Sequence, residues 1–360
     1  MGVLRTAESR AAEVEEFIRA AVACAGLNRR KDDDGFRKGP LAFDVDAEDQ
    51  GTLVCVTCGA SYLGMALANQ LLLRGYSVRI AAHSSDDMDK LKEMESSEEM
   101  KTKGHFQIVM AKLNDVESLQ QAFQGCRGVF HTSAFTDPAG LSGYTKSMAE
   151  IEVMVTENVM EACAKTTSVK RCVVTSSLSA CLWQDNAQSE SELSPVINHG
   201  SWSSDPLCFN KKLWYALGKM RAEKTAWEIA SKRGLKLTTI CPALITGPEF
   251  FRKNPTATIA YLKGAQEMYS HGLLATVDVT KLAEAHVCVF KAMNKNGYGR
   301  YICFENVIDS QTGAEKLAKE IGMPIEKICG DESHALHRFQ LSNEKLCRLM
   351  AKPLRCYSEY

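Results

Sequence analysis

No apolar run in the chain approaches the roughly 18 residues that a membrane-spanning helix needs. Charge of one sign is also missing: the formal net charge is −1, so neither nucleic acid nor an anionic membrane is favoured as the main partner. The N-terminal segment lacks the basic-then-apolar layout of a secretory signal, and Glu8, Glu13, Glu15 and Glu16 make it too acidic for a transit peptide. The expected compartment is the cytoplasm. Internal repeats and low-complexity blocks are absent as well. The 14 cysteines sit scattered, several inside apolar segments (Cys172, Cys241, Cys288, Cys303), which suits reduced core thiols better than a disulfide framework. Cys55 and Cys58 form a C-x-x-C, but no second cluster supplies further ligands, so a coincidence of buried thiols is the expected reading and no metal is expected.

Glycine is scarce at one decisive place. Thr52 to Val78 reads as a buried strand, a turn, a helix over Tyr62 to Arg74 and a second strand over Ser77 to Ala82. Such a βαβ unit of about thirty residues opens a dinucleotide-binding fold, where backbone N–H groups at the helix N-terminus hold a pyrophosphate. The full turn wants three glycines. With Gly64 as the last, the earlier two positions fall on Cys58 and Ser61, and Gly59 is shifted by one. By itself the turn is weak evidence for a cofactor.

What is present elsewhere is regular alternation. Strands are expected at Phe106 to Met110, Gly128 to Thr132, Val169 to Ser176, Lys236 to Cys241 and Arg300 to Phe304. Helices are expected at Val116 to Phe123, Met148 to Ala164, Leu213 to Lys232, Val279 to Met293 and Thr312 to Ile321. This predicts an α/β fold: a doubly wound, Rossmann-like parallel sheet with a smaller C-terminal α+β substrate lobe. Three regions follow: an extension over 1–50, with an amphipathic helix to about residue 25 and a charged linker; a dinucleotide-binding region over mainly 51–250; and a substrate lobe with a tail over mainly 251–360. The loops after residues 57, 82, 132, 176 and 241 should converge on one crevice beyond the carboxyl ends of the strands.

Tyr215 has Lys219 four residues on, so in a helix both share one face. A cation beside a phenol lowers its pKa from about 10 and makes it a usable proton donor to a carbonyl oxygen. Thr175, Ser176 and Ser177 close an apolar strand, where a hydroxyl can hydrogen-bond a developing oxyanion. His271 and His286, each alone on a loop or helix, are expected to be structural or surface residues.

The segments VKRCVVTSSLSA, LWYALGKMRAEK, CPALITGP and VFHTSA resemble those of plant extended short-chain dehydrogenases, the group with cinnamoyl-CoA reductase and dihydroflavonol reductase. The resemblance runs from about Leu53 to about Gly330 and is strongest to the cinnamoyl-CoA reductase-like branch. It implies a catalytic triad of Ser177, Tyr215 and Lys219 and NADPH as cofactor. Cofactor contacts are expected at Thr57, Gly59, Ser61, Tyr62, Leu63, Gly64, His83, Lys112, Leu113, Thr132, Lys219 and Pro242. His83 replaces the family's arginine for the 2′-phosphate, Lys112 replaces an adenine-contacting aspartate, and the signature N-W-Y-C-Y-G-K reads Leu213 to Lys219 with four of seven kept.

The resemblance thus implies an NADPH-dependent reductase of a carbonyl or acyl-CoA thioester, of phenylpropanoid type, in lignin or defence metabolism. Two other readings stay open. The altered turn and the extension would suit a catalytically weak, cofactor-sensing interaction protein, with a protein partner on residues 1–50. A nucleotide-sugar epimerase would share the triad.

Overall fold

The structure, a computed structural model, describes residues 51–95, 105–132, 144–184, 195–248, 255–295, 297–330 and 338–351. The N-terminal helix and linker expected in 1–50 lie outside them. The first half alternates throughout: β1 Leu53–Thr57, α1 Tyr62–Leu73, β2 Ser77–Ala82, α2 Ser85–Glu95, β3 Phe106–Met110, α3 Val116–Phe123, β4 Gly128–His131, α4 Lys146–Lys165, β5 Arg171–Thr175 and α5 Ser179–Leu182. Then come β6 Val196–Ile197, α6 Asp205–Asn210, α7 Trp214–Arg233, β7 Lys236–Pro242, β8 Leu244–Thr246, α8 Pro255–Tyr261, α9 Ala265–Ser270, β9 Ala275–Asp278, α10 Val279–Ala292, β10 Gly299–Cys303, β11 Asn306–Val307, α11 Gln311–Ile321, α12 Glu326–Cys329, β12 Gln340–Leu341 and α13 Glu344–Ala351.

Local chemistry explains the boundaries. Ser61, Asp115, Thr145, Ser204 and Asp278 cap the N-termini of α1, α3, α4, α6 and α10 with side-chain oxygens. Gly234 ends α7 and Gly322 ends α11 in the left-handed conformation. Every residue of β4 and β5 is buried, as parallel strands covered on both faces require. Successive side chains of β1 enter opposite cores: Val54 and Val56 on one face, Cys55 on the other.

Seven strands form one sheet in the order β10-β7-β5-β4-β1-β2-β3, and every neighbouring pair is parallel. The order reverses between β1 and β4, which opens a ligand crevice at their carboxyl ends. This is the doubly wound sheet expected from the alternation. A small sheet, β11-β9-β8, and short helices build the α+β lobe.

Part of the chain beyond residue 250 belongs to the main sheet. After β9 the chain returns: α10 packs on α1, and β10 adds the sheet's last strand. Phe290 of α10 is the reason, because its ring fills the space over Gly128, where a Cβ would come within 2.3 Å of it. It also meets Phe130 at 4.8 Å between ring centres. The expected loop from Pro242 to Pro248 contains β8, three residues whose burial fades outward. No described helix is long and apolar enough to cross a membrane.

Candidate active site

The turn between β1 and α1 is built without its first glycine. Cys58 takes the left-handed conformation itself, at φ 51°, a place where glycine is usual. Gly59 has a packing role: a Cβ there would meet Ile80 Cγ2 at 2.2 Å, and one on Gly64 would meet the Cys58 carbonyl oxygen at 2.5 Å. Ser61 replaces the second glycine and caps α1, its Oγ accepting from the Gly64 N–H at 3.0 Å. Tyr62 and Leu63 are buried in the first turn of α1, and the Tyr62 hydroxyl donates to the Pro248 carbonyl at 2.7 Å.

Around this turn the strand ends are tied together. Thr57 Oγ1 lies 2.7 Å from His131 Nδ1, and the Thr132 hydroxyl donates to the Thr57 carbonyl at 2.7 Å. Burial lowers the His131 pKa to about 4, so the ring is neutral near pH 7. His83, expected to face a 2′-phosphate, turns inward. Its Nδ1 meets the Ala111 carbonyl and its Nε2 lies 3.1 Å from both the N–H and the Sγ of Cys58. Lys112 is exposed beyond β3, its backbone N–H on Ser118. The Leu113 carbonyl accepts from Asn158 at 3.0 Å.

The three hydroxyls at the end of β5 part company. Thr175 pairs with His286 Nε2 at 2.8 Å, and Ser176 donates to Glu223 at 2.7 Å. His286 is a core histidine, its Nδ1 on the Leu282 carbonyl at 2.7 Å. Ser177 alone acts on Tyr215, easing the phenol's pKa downward against burial, while Ser179 Oγ donates to Ser177 Oγ at 2.9 Å. The Pro242 carbonyl accepts from the Leu178 N–H at 2.7 Å, so Pro242 props the loop that carries Ser177.

Tyr215 and Lys219 share a face of α7, with the ammonium 5.8 Å from the centre of the Tyr215 ring. Gly218 lets α7 approach α4 closely: a Cβ there would lie 2.9 Å from Ala149 Cα. That approach brings Glu152 of α4 to Lys219, at 2.8 Å. Burial opposes the Lys219 charge, but Glu152 and Tyr215 overcome it and raise its pKa. The expected lowering of the Tyr215 pKa is corrected chiefly by burial. Burial raises the phenol, Lys219 opposes the rise, and Glu152 adds to it, leaving it above the usual value. The phenol is therefore protonated at neutral pH, the form that can donate.

Sequence reasoning missed Glu152. Its signal was an acid in the buried stripe Met148, Glu152, Val155, Val159 of α4. It also missed Tyr144, whose ring meets Tyr215 edge-on at 5.3 Å, and the brace behind the site, where Arg300 donates to Glu223 at 2.8 and 3.1 Å. Among the described residues no cluster suits a metal ion.

The site fits a dinucleotide. The first turn of α1 holds no acid, so its N–H groups and dipole favour a phosphate; the Ser61 hydroxyl, which accepts from Gly64, still has a proton to donate. At the carboxyl end of β4, the buried His131 Nε2 finds no partner among the described residues. A cavity of about 340 Å³ is lined by Leu182, Trp183, Lys211, Glu267, Met268 and His271, among others.

Residues 55–308 match the 3-beta hydroxysteroid dehydrogenase/isomerase family. The chain is 34% identical to cinnamoyl-CoA reductase 1 of Petunia hybrida, over 82% of this chain and 86% of that one. It is 32% identical to tetraketide alpha-pyrone reductase 1 of Arabidopsis thaliana, over 76% and 83% respectively. In fold it is similar to the yeast methylglyoxal/isovaleraldehyde reductase Gre2 complexed with NADPH, with a TM-score of 0.61 at 20% identity, covering 84% of this chain and 94% of that one.

Proposed function

Since the chain belongs to the 3-beta hydroxysteroid dehydrogenase/isomerase family, on its extended short-chain reductase branch, we propose that it is an NADPH-dependent reductase of a phenylpropanoid carbonyl or acyl-CoA thioester. The observation that carries this reading is the meeting of Ser177, a protonated Tyr215 and a charged, buried Lys219 beside a turn suited to phosphate. The turn with Ser61 and Gly64, the strand ends at Thr57 and Thr132, and Lys219 would hold the dinucleotide, which supplies the hydride when bound. Tyr215 donates its proton to the substrate oxygen while Ser177 hydrogen-bonds that oxygen and steadies its growing charge. Lys219 stabilises the phenolate left behind. With a thioester the protonated adduct then expels the thiolate. The cinnamoyl-CoA reductase likeness supports the phenylpropanoid class of substrate. With His83 turned inward, Lys112 is the exposed cation assigned to the 2′-phosphate.

The test measures NADPH oxidation with cinnamoyl-CoA and related aldehydes. Tyr215→Phe is expected to reduce turnover at least about a hundredfold while the fold survives. Near-normal turnover in that variant, or failure of the native chain to bind NADPH in calorimetry, overturns the reading.

A further inference from the structure

The thiol of Cys58 and the imidazole of His83 form a pair that proton transfer at Tyr215 leaves unused. The sulfur lies 3.1 Å from Nε2, and Nδ1 on the far side of the ring lies 3.1 Å from the Ala111 carbonyl, which can only accept. Nδ1 therefore carries a proton, and Nε2 is the acceptor that the Cys58 backbone N–H and the Cys58 thiol share, each at 3.1 Å, so it can serve the thiol as a base. Burial by itself would lower the pKa of this imidazole, yet the charge and hydrogen bond of Cys58, aided by Ala111, raise it to about 9. Transfer of the thiol proton to Nε2 would give the thiolate, the nucleophilic form of cysteine. The other half of the C-x-x-C behaves differently: Cys55 faces Cys126 across the opposite core, and that hydrogen bond with burial raises its thiol well above the usual value. Of the described buried cysteines, Cys58 is the most open, at 8% exposure against 5% or less for the others. It also sits on the turn where a pyrophosphate would lie.

We propose that Cys58 is a modification site for low-molecular-weight disulfides of the glutathione type, and that its adduct and the dinucleotide exclude one another; the second half rests on the cofactor reading above. The Cys58 thiolate attacks one sulfur of the disulfide. A new S–S bond joins Cys58 to that half, the original S–S bond breaks, and the departing thiolate takes up the proton that His83 received from Cys58. One protein thiol is oxidised to a mixed disulfide and one small thiol is released, which balances the exchange. The bulk of the adduct then occupies the mouth of the turn.

The experiment treats the full reduced chain with oxidised glutathione, with and without saturating NADPH, and maps adducts by peptide mass. NADPH affinity is measured by calorimetry before treatment, after it, and after reduction. The exposed Cys347, whose thiol donates to Asn343 Oδ1, is the internal control. The expected result is an adduct on Cys58 that forms faster than on Cys347 and is suppressed by NADPH. NADPH affinity should fall at least about tenfold and recover on reduction, while His83→Gln should slow the adduct about tenfold, as loss of a thiolate-stabilising cation requires. Labelling of Cys347 with Cys58 untouched overturns the site. An adduct on Cys58 that leaves NADPH affinity unchanged overturns the exclusion. If the untreated chain binds no NADPH, the exclusion and the cofactor reading fall together, while the labelling pattern still decides the site.

Discussion

The ammonium of Lys219 lies 2.8 Å from the Glu152 carboxylate, and the two side chains are only 5% and 4% exposed. Glu152→Gln keeps the shape and removes the charge. Breaking a buried pair from one side costs about 3–5 kcal/mol, so the denaturant midpoint should fall. The same change withdraws the group that helps hold the Tyr215 pKa up. Reduction needs the protonated phenol, so the alkaline limb of the pH–rate profile should move to lower pH. A lower midpoint with an unmoved limb would assign Glu152 to stability alone.

Gly64→Ala tests the turn. The added methyl would lie 2.5 Å from the Cys58 carbonyl oxygen and 2.7 Å from Gly59 Cα, both backbone atoms that cannot swing aside. The expected outcome is a loss of about 1–3 kcal/mol in a urea titration, as for other overpacked sites, and NADPH binding weakened at least about tenfold in calorimetry.

Arg300→Met tests the brace behind Ser177. Glu223 is fully buried and accepts from Arg300, Ser176 and Thr239. Left with two hydroxyls and the Cys241 thiol as donors and no cation, the carboxylate should destabilise the chain by about 3–5 kcal/mol. Adding Glu223→Gln to the same chain should restore part of that loss, and equilibrium unfolding of the single and double variants checks it.

Acid should weaken the fold in a defined window. His131 and His286 both have pKa values lowered by burial to about 4, from an ordinary 6.5. Between those values the unfolded chain binds a proton that the folded chain refuses, so stability falls as pH drops from 6.5 to 4. Each histidine contributes a slope of about 1.4 kcal/mol per pH unit. Unfolding measured across that range should show the limb, and His286→Gln should flatten it by about half.

The sheet was legible because β1, β5 and β7 are short runs rich in β-branched residues with helical spacing between them, a local pattern. The Tyr215 and Lys219 pair was legible for the same reason, as one helical turn. What escaped was non-local. Thr175 and Ser176 looked equivalent to Ser177 until their partners, 111 and 47 residues away, drew them elsewhere. Glu152 reaches Lys219 across 67 residues, through a helix crossing that no spacing announces. The inward turn of His83 rests on the backbone of residues 58 and 111 together with the Cys58 sulfur, partners 25 and 28 residues away that no local spacing announces.

The return of α10 and β10 to the main sheet gives the chain a late point of commitment during synthesis. Until residue 303 has left the ribosome, β7 is an open strand edge, and the face of α1 that Phe290 and its neighbours cover is bare. Exposed edges and apolar faces of this kind are what chaperones bind and what aggregates share. Truncations anywhere between 250 and 303 should therefore yield insoluble chains, although the whole phosphate turn and both Tyr215 and Lys219 have already been made.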